Sequence, residues 1–282
     1  MSNCLVLNSE NVISGGNNNI YKYRFINGMY SIKDDSEICL SSITMPYSWF
    51  NITSSYNNNK FQIIWYGTVT TTYTIILPDG FYLVSDINNY LENFMIQNSL
   101  YLIDSSTGNY IFYIKLFTSA TYYSNQILSF AVPSSLPVGY TAPVGWPGFP
   151  IVASTPLFTV LNNNLQSLLG FSDGNYPPIT QVSNYSVLSN LLPPVGSPVN
   201  SIIVRCSLVD NSVSMPTDIL DSFSINSTFG SNINYSPNYE KWISIRKGTY
   251  SDITITFVDQ NFNNISIIDS NVIITLLIKN KK

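Results

Sequence analysis

Histidine is absent from this sequence of 282 residues, and charge is scarce: 12 Lys and Arg with 16 Asp and Glu make up 10% of the chain. An ordinary soluble domain carries about 25%. Each lack removes a class of chemistry. Without histidine there is no nucleophile–histidine catalysis and no metal site of the usual His/Cys type. Only three cysteines occur, Cys4, Cys39 and Cys206, with no CxxC pair among them. A disulfide framework and a zinc site are therefore not expected, and buried reduced thiols are the default reading. There is no GxxxxGK[ST] loop; Gly15-Gly16 runs into Asn and reads as a plain loop. The longest clean apolar stretch, near Val272–Ile278, is too short to span a bilayer. No basic segment followed by an apolar one opens the chain, so the expectation is synthesis in a reducing cytoplasm. The formal net charge of −4 argues against direct nucleic-acid binding, which needs a basic field. The one basic cluster, Lys279, Lys281 and Lys282, reads as a solvated chain end.

What is present is apolar and neutral. Hydrophobic residues make up 45% of the chain and aromatics 14%, with 20 Tyr and 15 Phe, so it should fold. Its length fits one large β domain or two smaller ones. Asn is the dominant polar residue, with 34 copies and runs at 17–19, 57–59 and 162–164. These runs read as loops, because Asn tolerates left-handed φ and bonds its own backbone. A neutral, aromatic surface costs little to desolvate, which favours large protein contacts over a soluble monomer.

Most of the chain reads as short strands: Ile20–Ile26, Glu37–Met45, Phe61–Tyr66, Thr70–Leu77, Tyr110–Phe117, Ser201–Leu208, Trp242–Ile245, Ile253–Val258 and Val272–Ile278. Thr70–Leu77 alternates clearly, with Tyr73, Ile75 and Leu77 on one face, and Pro78-Asp79-Gly80 supplies a turn. Strands of this length separated by turns point to a sandwich or barrel. One segment departs from the pattern. In Ser85–Asn98, Ile87, Tyr90, Leu91, Phe94 and Met95 fall on one helical face, with Ser85 as the expected N-cap and Asp86 at the positive end of the dipole. This helix is expected against a sheet edge or barrel end. Leu157–Leu169 is a second, weaker helix candidate.

Between 132 and 198 prolines concentrate, among them Pro133, Pro137, Pro143, Pro147, Pro150, Pro156, Pro177, Pro178, Pro193, Pro194 and Pro198. Proline is excluded from central strands. The stretch is too apolar to be a floppy linker, and an ordered insertion fits it better. The expected organisation is a core of residues 1–131 and 199–282 with 132–198 inserted as a loop region or small domain. Paired carboxylates remain the open catalytic option, with Asp34, Asp35, Glu37, Asp218 and Asp221 as candidates; solvated turn acids are the favoured reading. No D-x-[DN]-x-[DN]-G spacing marks a Ca²⁺ site, and neither a metal nor a cofactor is expected. Tyr47, Trp49 and Phe50 form an aromatic cluster that reads as core or interface ahead of a carbohydrate-stacking platform.

The ordered string from Ser41 to Thr53 (SSITMPYSWFNIT), followed by Tyr56-Asn57-Asn58-Asn59-Lys60-Phe61, resembles the front half of the penton (minor capsid) proteins of virophages and polinton-like viruses. The resemblance continues through Thr74–Tyr82 (TIILPDGFY) and Asp86–Leu91, and returns at Ile253–Gln260, Ile267-Ile268-Asp269 and Ile273–Ile278. These segments cover about a third of the chain, at both ends. Leu168-Leu169-Gly170-Phe171 is a weak further match in the proline-rich middle.

The resemblance implies an all-β protein with a single jelly-roll β-sandwich, standing in an icosahedral shell as a homopentamer at the five-fold vertices. It implies contacts with neighbouring major capsid protein trimers, and outward elements that close the vertex or meet a host-cell or host-virus surface. Here the candidate for those elements is 132–198. The candidate subunit-interface residues are Tyr47, Trp49, Phe50, Trp146 and Phe149. A virion location and a structural, non-enzymatic role follow as expectations. The rival readings are a carbohydrate- or receptor-binding jelly roll of the fibre-head or lectin-like kind, an enzyme using carboxylates alone, and a trimeric double-jelly-roll capsid protein, for which the chain is short.

Overall fold

The computed structural model describes residues 2–26, 28–191 and 199–280. Pro193, Pro194 and Pro198 of the proline-rich stretch, and Lys281 and Lys282 of the tail, lie outside the described residues. The chain divides into two compact units, 1–49 with 199–282, and 50–198. The composition shift had pointed to 131/132 for the first of these boundaries. The strands of 50–131 are as apolar and as poor in proline as those of the first unit, so composition does not separate them.

In chain order, the first unit begins with β1 (Ser2–Leu7), β2 (Ile20–Arg24), β3 (Tyr30–Ile32) and β4 (Ser36–Pro46). The second unit holds β5 (Lys60–Tyr66), β6 (Thr70–Ile76), α1 (Val84–Gln97), β7 (Tyr101–Asp104), β8 (Tyr110–Phe112), β9 (Ile114–Ser119), β10 (Ser124–Ser129), β11 (Tyr140–Thr141), β12 (Leu157–Val160), α2 (Leu165–Leu169), β13 (Gly174–Tyr176) and β14 (Tyr185–Leu188). The first unit resumes with β15 (Ser201–Cys206), β16 (Ile219–Ser224), β17 (Asn232–Tyr235), β18 (Ile243–Ser244), β19 (Gly248–Tyr250), β20 (Asp252–Asp259) and β21 (Ile273–Asn280).

Eight strands of the first unit make up two antiparallel sheets, in the orders β1-β21-β4-β17, where β18 adds a fifth strand by pairing with β4, and β16-β15-β20-β2. The pairing is nested. Taken along the chain, the first of the eight pairs with the last, the second with the seventh, the third with the sixth and the fourth with the fifth. β21 with β4 and β15 with β20 then join these hairpins into sheets. A folded hairpin of strand pairs wound into two sheets is a jelly roll. Its core follows from two-residue alternation: Ile202, Val204 and Cys206 are buried along β15, Ile253, Ile255 and Phe257 along β20, and Ile274, Leu276 and Ile278 along β21. Phe223 of β16 stacks on Tyr235 of β17 at 4.6 Å, tying one sheet to the other. Cys39 and Cys206 are buried, and burial pushes their thiols up to about 11 and about 12. Cys4 corrects the default reading: it lies exposed on edge strand β1.

The second unit is inserted between β4 and β15. It contains the sheets β13-β12-β5-β6, β14-β10-β9 and β11-β7-β8. Its core gathers Phe61, Trp65, Phe158 and Phe171 from the strands and loops with Ile87, Leu91 and Met95 from α1. Phe61 stacks on Phe158 at 4.9 Å across paired strands β5 and β12. Leu157–Leu169 is not one helix. Leu157–Val160 pairs as a strand with β5 and β13, Asn162–Asn164 breaks the chain, and only Leu165–Leu169 is helical, ending on left-handed Gly170. Tyr110–Phe117 likewise splits, because β8 serves β7 while β9 serves β10. The N-cap of α1 lies two residues earlier than expected, at Leu83 in place of Ser85, and the Asp86 carboxylate accepts the Leu83 N–H at 2.8 Å.

Candidate assembly surfaces

The aromatic candidates divide by burial. Tyr47 follows β4, held by its N–H to the Ser231 carbonyl and its carbonyl to the Gly230 N–H, both 2.9 Å. Its ring packs 4.5 Å from Trp49 and edge-on to Phe229. Tyr47 and Trp49 are 4% and 1% exposed, so they hold the fold and offer no area to a neighbour. Phe50, Trp146 and Phe149 are half-buried. Trp146 sets its ring edge-on to Trp65 at 5.7 Å and packs on Phe149 at 5.3 Å.

The strongest surface feature was not singled out from the sequence. Pro137-Val138-Gly139-Tyr140 and Pro143-Val144-Gly145-Trp146 are two copies of one turn, six residues apart. In each, the fourth residue donates its N–H to the proline carbonyl, and the glycine has φ near +90° (86° and 90°). That is type II turn geometry, which glycine alone adopts without strain. Each turn half-buries its aromatic and leaves its valine fully in solvent, Val138 at 102% and Val144 at 100%. Neither turn is loose: Ser99 Oγ donates to the Val144 carbonyl at 2.8 Å, and the Ser105 N–H donates to the Gly139 carbonyl at 2.9 Å. Ile151 is exposed in the same run, just past Gly148, where a Cβ would collide with Thr68 Oγ1. The repeated Pro-Val-Gly-aromatic string was the signal available in the sequence.

A cleft of about 540 Å³ lies in the same unit, between the start of α1 and strand β9. Leu83, Ser85 and Asn89 line one wall and Leu116, Phe117 and Thr118 the other. β9 is an edge strand, bonded to β10 on one side only. On its free side the Leu116 N–H donates to Asn88 Oδ1 at 2.8 Å. Leu116 itself is 2% exposed and covered on this side by α1, while Phe117 and Thr118 are exposed. No charged side chain lines it.

Four of the five candidate acids are engaged with cations, and the fifth, Asp35, sits in a turn at left-handed φ (63°). Arg205 grips Asp218 with two nitrogens at 2.8–3.1 Å, and Lys247 meets Asp34 at 2.7 Å. Lys279 meets Glu37 at 3.4 Å and covers the Trp242 ring at 3.6 Å. Asp221 is buried in β16 and accepts from Lys241 at 2.7 Å and from Tyr235 Oη at 3.0 Å. The bond to Asp221 raises the Lys241 ammonium pKa; burial, then the bond to Asp221, raises that of the Tyr235 phenol.

No family model and no curated protein matches the chain. Among solved structures it is similar to the mavirus penton protein, at 8% identity over 100% of this chain and 99% of that one, with a TM-score of 0.46. It is also similar to a chain of the Sputnik virophage structure, at 12% identity over 98% and 97%, with a TM-score of 0.36. Likenesses of this size carry no argument, and the jelly roll stands on the nested strand pairing.

Proposed function

We propose that this chain is a structural virion protein: a penton, or minor capsid, subunit that forms the pentameric five-fold vertex of an icosahedral capsid. The observation that carries the reading is the nested first-with-last pairing of eight strands into one jelly roll. This architecture serves capsid and lectin domains alike, so fold by itself does not choose between them. The string from Ser41 to Phe61 supports the capsid. It spans the end of β4 and the start of β5, where the chain leaves the roll for the inserted unit.

The mechanism is association. In a closed ring each subunit presents two different patches, one to each neighbour, and closure fixes the copy number. Many weak, neutral contacts sum to a stable but reversible assembly. The proline-rich stretch 132–198 is the proposed outward element, closing the vertex or meeting a host-cell or host-virus surface. Neighbouring major capsid protein trimers are the proposed partners, and no catalytic step is assigned. Mass photometry and negative-stain microscopy of the purified chain test the reading. Closed five-membered rings are expected; a strict monomer at high concentration, or a stable trimer, overturns it.

A further inference from the structure

We propose that residues 236–242 form a latched cover over the outer face of β4, held shut by Lys241 and Lys279, which opens while the jelly roll stays folded. The burial of β4 reveals the cover. A strand in a two-sheet roll buries alternate residues. Here Ser36, Glu37, Ile38, Cys39 and Leu40 are all buried. Ile38 and Leu40 pair with Ile278 and Leu276 of the core, so Glu37 and Cys39 face outward. Register says what roofs them. β21 pairs with β4 as Lys279 with Glu37, and β18 pairs with it as Ser244 with Glu37, so these strands flank β4 on opposite edges. Across β4 the Lys279 ammonium lies 3.6 Å from the ring of Trp242 and 3.4 Å from the Glu37 carboxylate. Cys39, the next outward position after Glu37, is 0% exposed, and the charges of Glu240 and Lys279 both act on its thiol.

The cover is weakly built. Ile233 and Ile245 are buried at its two ends, and no residue from Asn234 to Ser244 is buried between them. Among the described residues, none of 236–242 makes a hydrogen bond from main chain to main chain. A segment with few buried apolar contacts and few backbone bonds belongs to the low end of local stability. Three contacts fasten it to the roll. Ser236 Oγ donates to the Ser41 carbonyl at 3.2 Å, Lys241 meets buried Asp221 at 2.7 Å, and Trp242 lies under Lys279. Two of the three are lysine charges, and the side chains of Lys241 and Lys279 are 37% and 31% exposed, so salt reaches both. The ends are held differently. Tyr235 stacks on Phe223, and the Ile245 N–H donates to the Ser36 carbonyl at 3.0 Å. The segment between them lifts with its ends in place, and lifting bares Glu37 and Cys39. This patch of the roll is therefore accessible only in the open form.

Cysteine alkylation reads the opening. N-ethylmaleimide labelling of the full chain, resolved by peptide mass spectrometry, reports Cys39 under the cover and Cys206 in the core, with exposed Cys4 as the unprotected reference. Raising NaCl from about 0.1 M to about 1 M shortens the screening length from about 10 Å to about 3 Å. The labelling rate of Cys39 relative to Cys206 is expected to rise about threefold across that range. Lys279→Gln and Lys241→Gln should each raise it about threefold at low salt and flatten the salt response. Lys22→Gln, which breaks an ion pair on the other sheet, is the control and should leave it unchanged. Circular dichroism and an unchanged Cys206 rate establish that each variant is folded. If Lys241→Gln fails to fold, the wild-type salt series and Lys279→Gln decide. Cys39 labelling that tracks Cys206 at every salt concentration, that ignores the lysine substitutions, or that rises equally in the control overturns the cover.

Discussion

The two units of this chain are similar in length and opposite in electrostatics. Residues 50–198 contain seven charged side chains, Lys60, Asp79, Asp86, Glu92, Asp104, Lys115 and Asp173, and the rest of the chain holds the other 21. All six ion pairs among the described residues lie in the jelly roll. The inserted unit uses amides where the roll uses charges. Buried Asn51 forms two 2.8 Å bonds with the Tyr82 backbone, donating to its carbonyl and accepting from its N–H. Buried Asn58 donates to the Asn51 carbonyl and accepts the Thr53 N–H, while Asn125 reaches the Leu169 carbonyl. An amide satisfies buried backbone without carrying a charge out of water, so the unit keeps internal polar order and a neutral exterior. A charged surface keeps neighbours apart, and a neutral one with exposed valines invites them.

Core packing is where the two units should behave alike, because cavity cost does not depend on surface charge. Phe257→Ala in the roll and Phe61→Ala in the insertion each remove a fully buried ring. Each is expected to cost about 3–5 kcal/mol, read by chemical denaturation and by faster amide exchange in the neighbouring strands, β15 and β2 or β12 and β6. A cost below about 1 kcal/mol at either site would mean that its core is loosely packed.

Charge is where they should differ, since Asp221 of the roll is buried and Asp79 of the insertion is exposed. Asp221→Asn leaves Lys241 facing a neutral amide in the roll and is expected to cost about 1–2 kcal/mol, the partial exposure of Lys241 keeping it below the cost for a fully buried pair. Asp79→Asn in the insertion keeps an acceptor for the Ser54 N–H and should stay within about 0.5 kcal/mol. Equal losses at the two positions would erase the contrast.

Much of this was legible in advance. Short apolar, strand-like runs located β4, β5, β15, β20 and β21, clear two-residue alternation located β6, and helical spacing located α1. The division at 49/50 was not legible, because nothing local at Trp49-Phe50 differs from an ordinary strand exit; what changes there is the partner, and pairing is long-range. Burial of Tyr47 and Trp49 was equally hidden. An aromatic at an interface and one in a core have the same composition, and only the contacts of Tyr47 with Phe229, 182 residues on, decide which it is. The paired valine turns were visible as a string, but their exposure follows from the turn type and its anchors.

Acid sharpens the comparison with a smaller effect. The Ser251 hydroxyl and then Lys22 hold the Asp252 carboxyl below its ordinary 3.8. A depressed carboxylate stabilises the fold above its ordinary value and loses that contribution as pH falls through the depressed one. Amide protection on β2 and β20, corrected for intrinsic exchange, should therefore fall as pH drops from about 5 to about 3. In the insertion Asp104 is also held low, by Ser106, but it is half-exposed at the end of β7 and its partner is the adjacent turn, and the Asn amides do not titrate in this range. Protection on β5 and β12 should stay flat. A parallel fall in both units would show that charge distribution does not set their acid response.

The smallest expected effect on stability belongs to the most exposed residues. Val138 and Val144 touch solvent on all sides, so replacing both with serine removes almost no buried apolar area. The turns survive, because their geometry depends on Gly139 and Gly145 and on the bonds to Ser99 and Ser105. The double variant should unfold within about 0.5 kcal/mol of the parent. Its consequence lies outside the subunit. If the neutral insertion is an association surface, the same two substitutions should raise solubility and weaken self-association in sedimentation, with the jelly roll untouched. A variant that matches the parent in both would leave the exposed valines without a role in assembly, and the electrostatic contrast between the units would then concern folding alone.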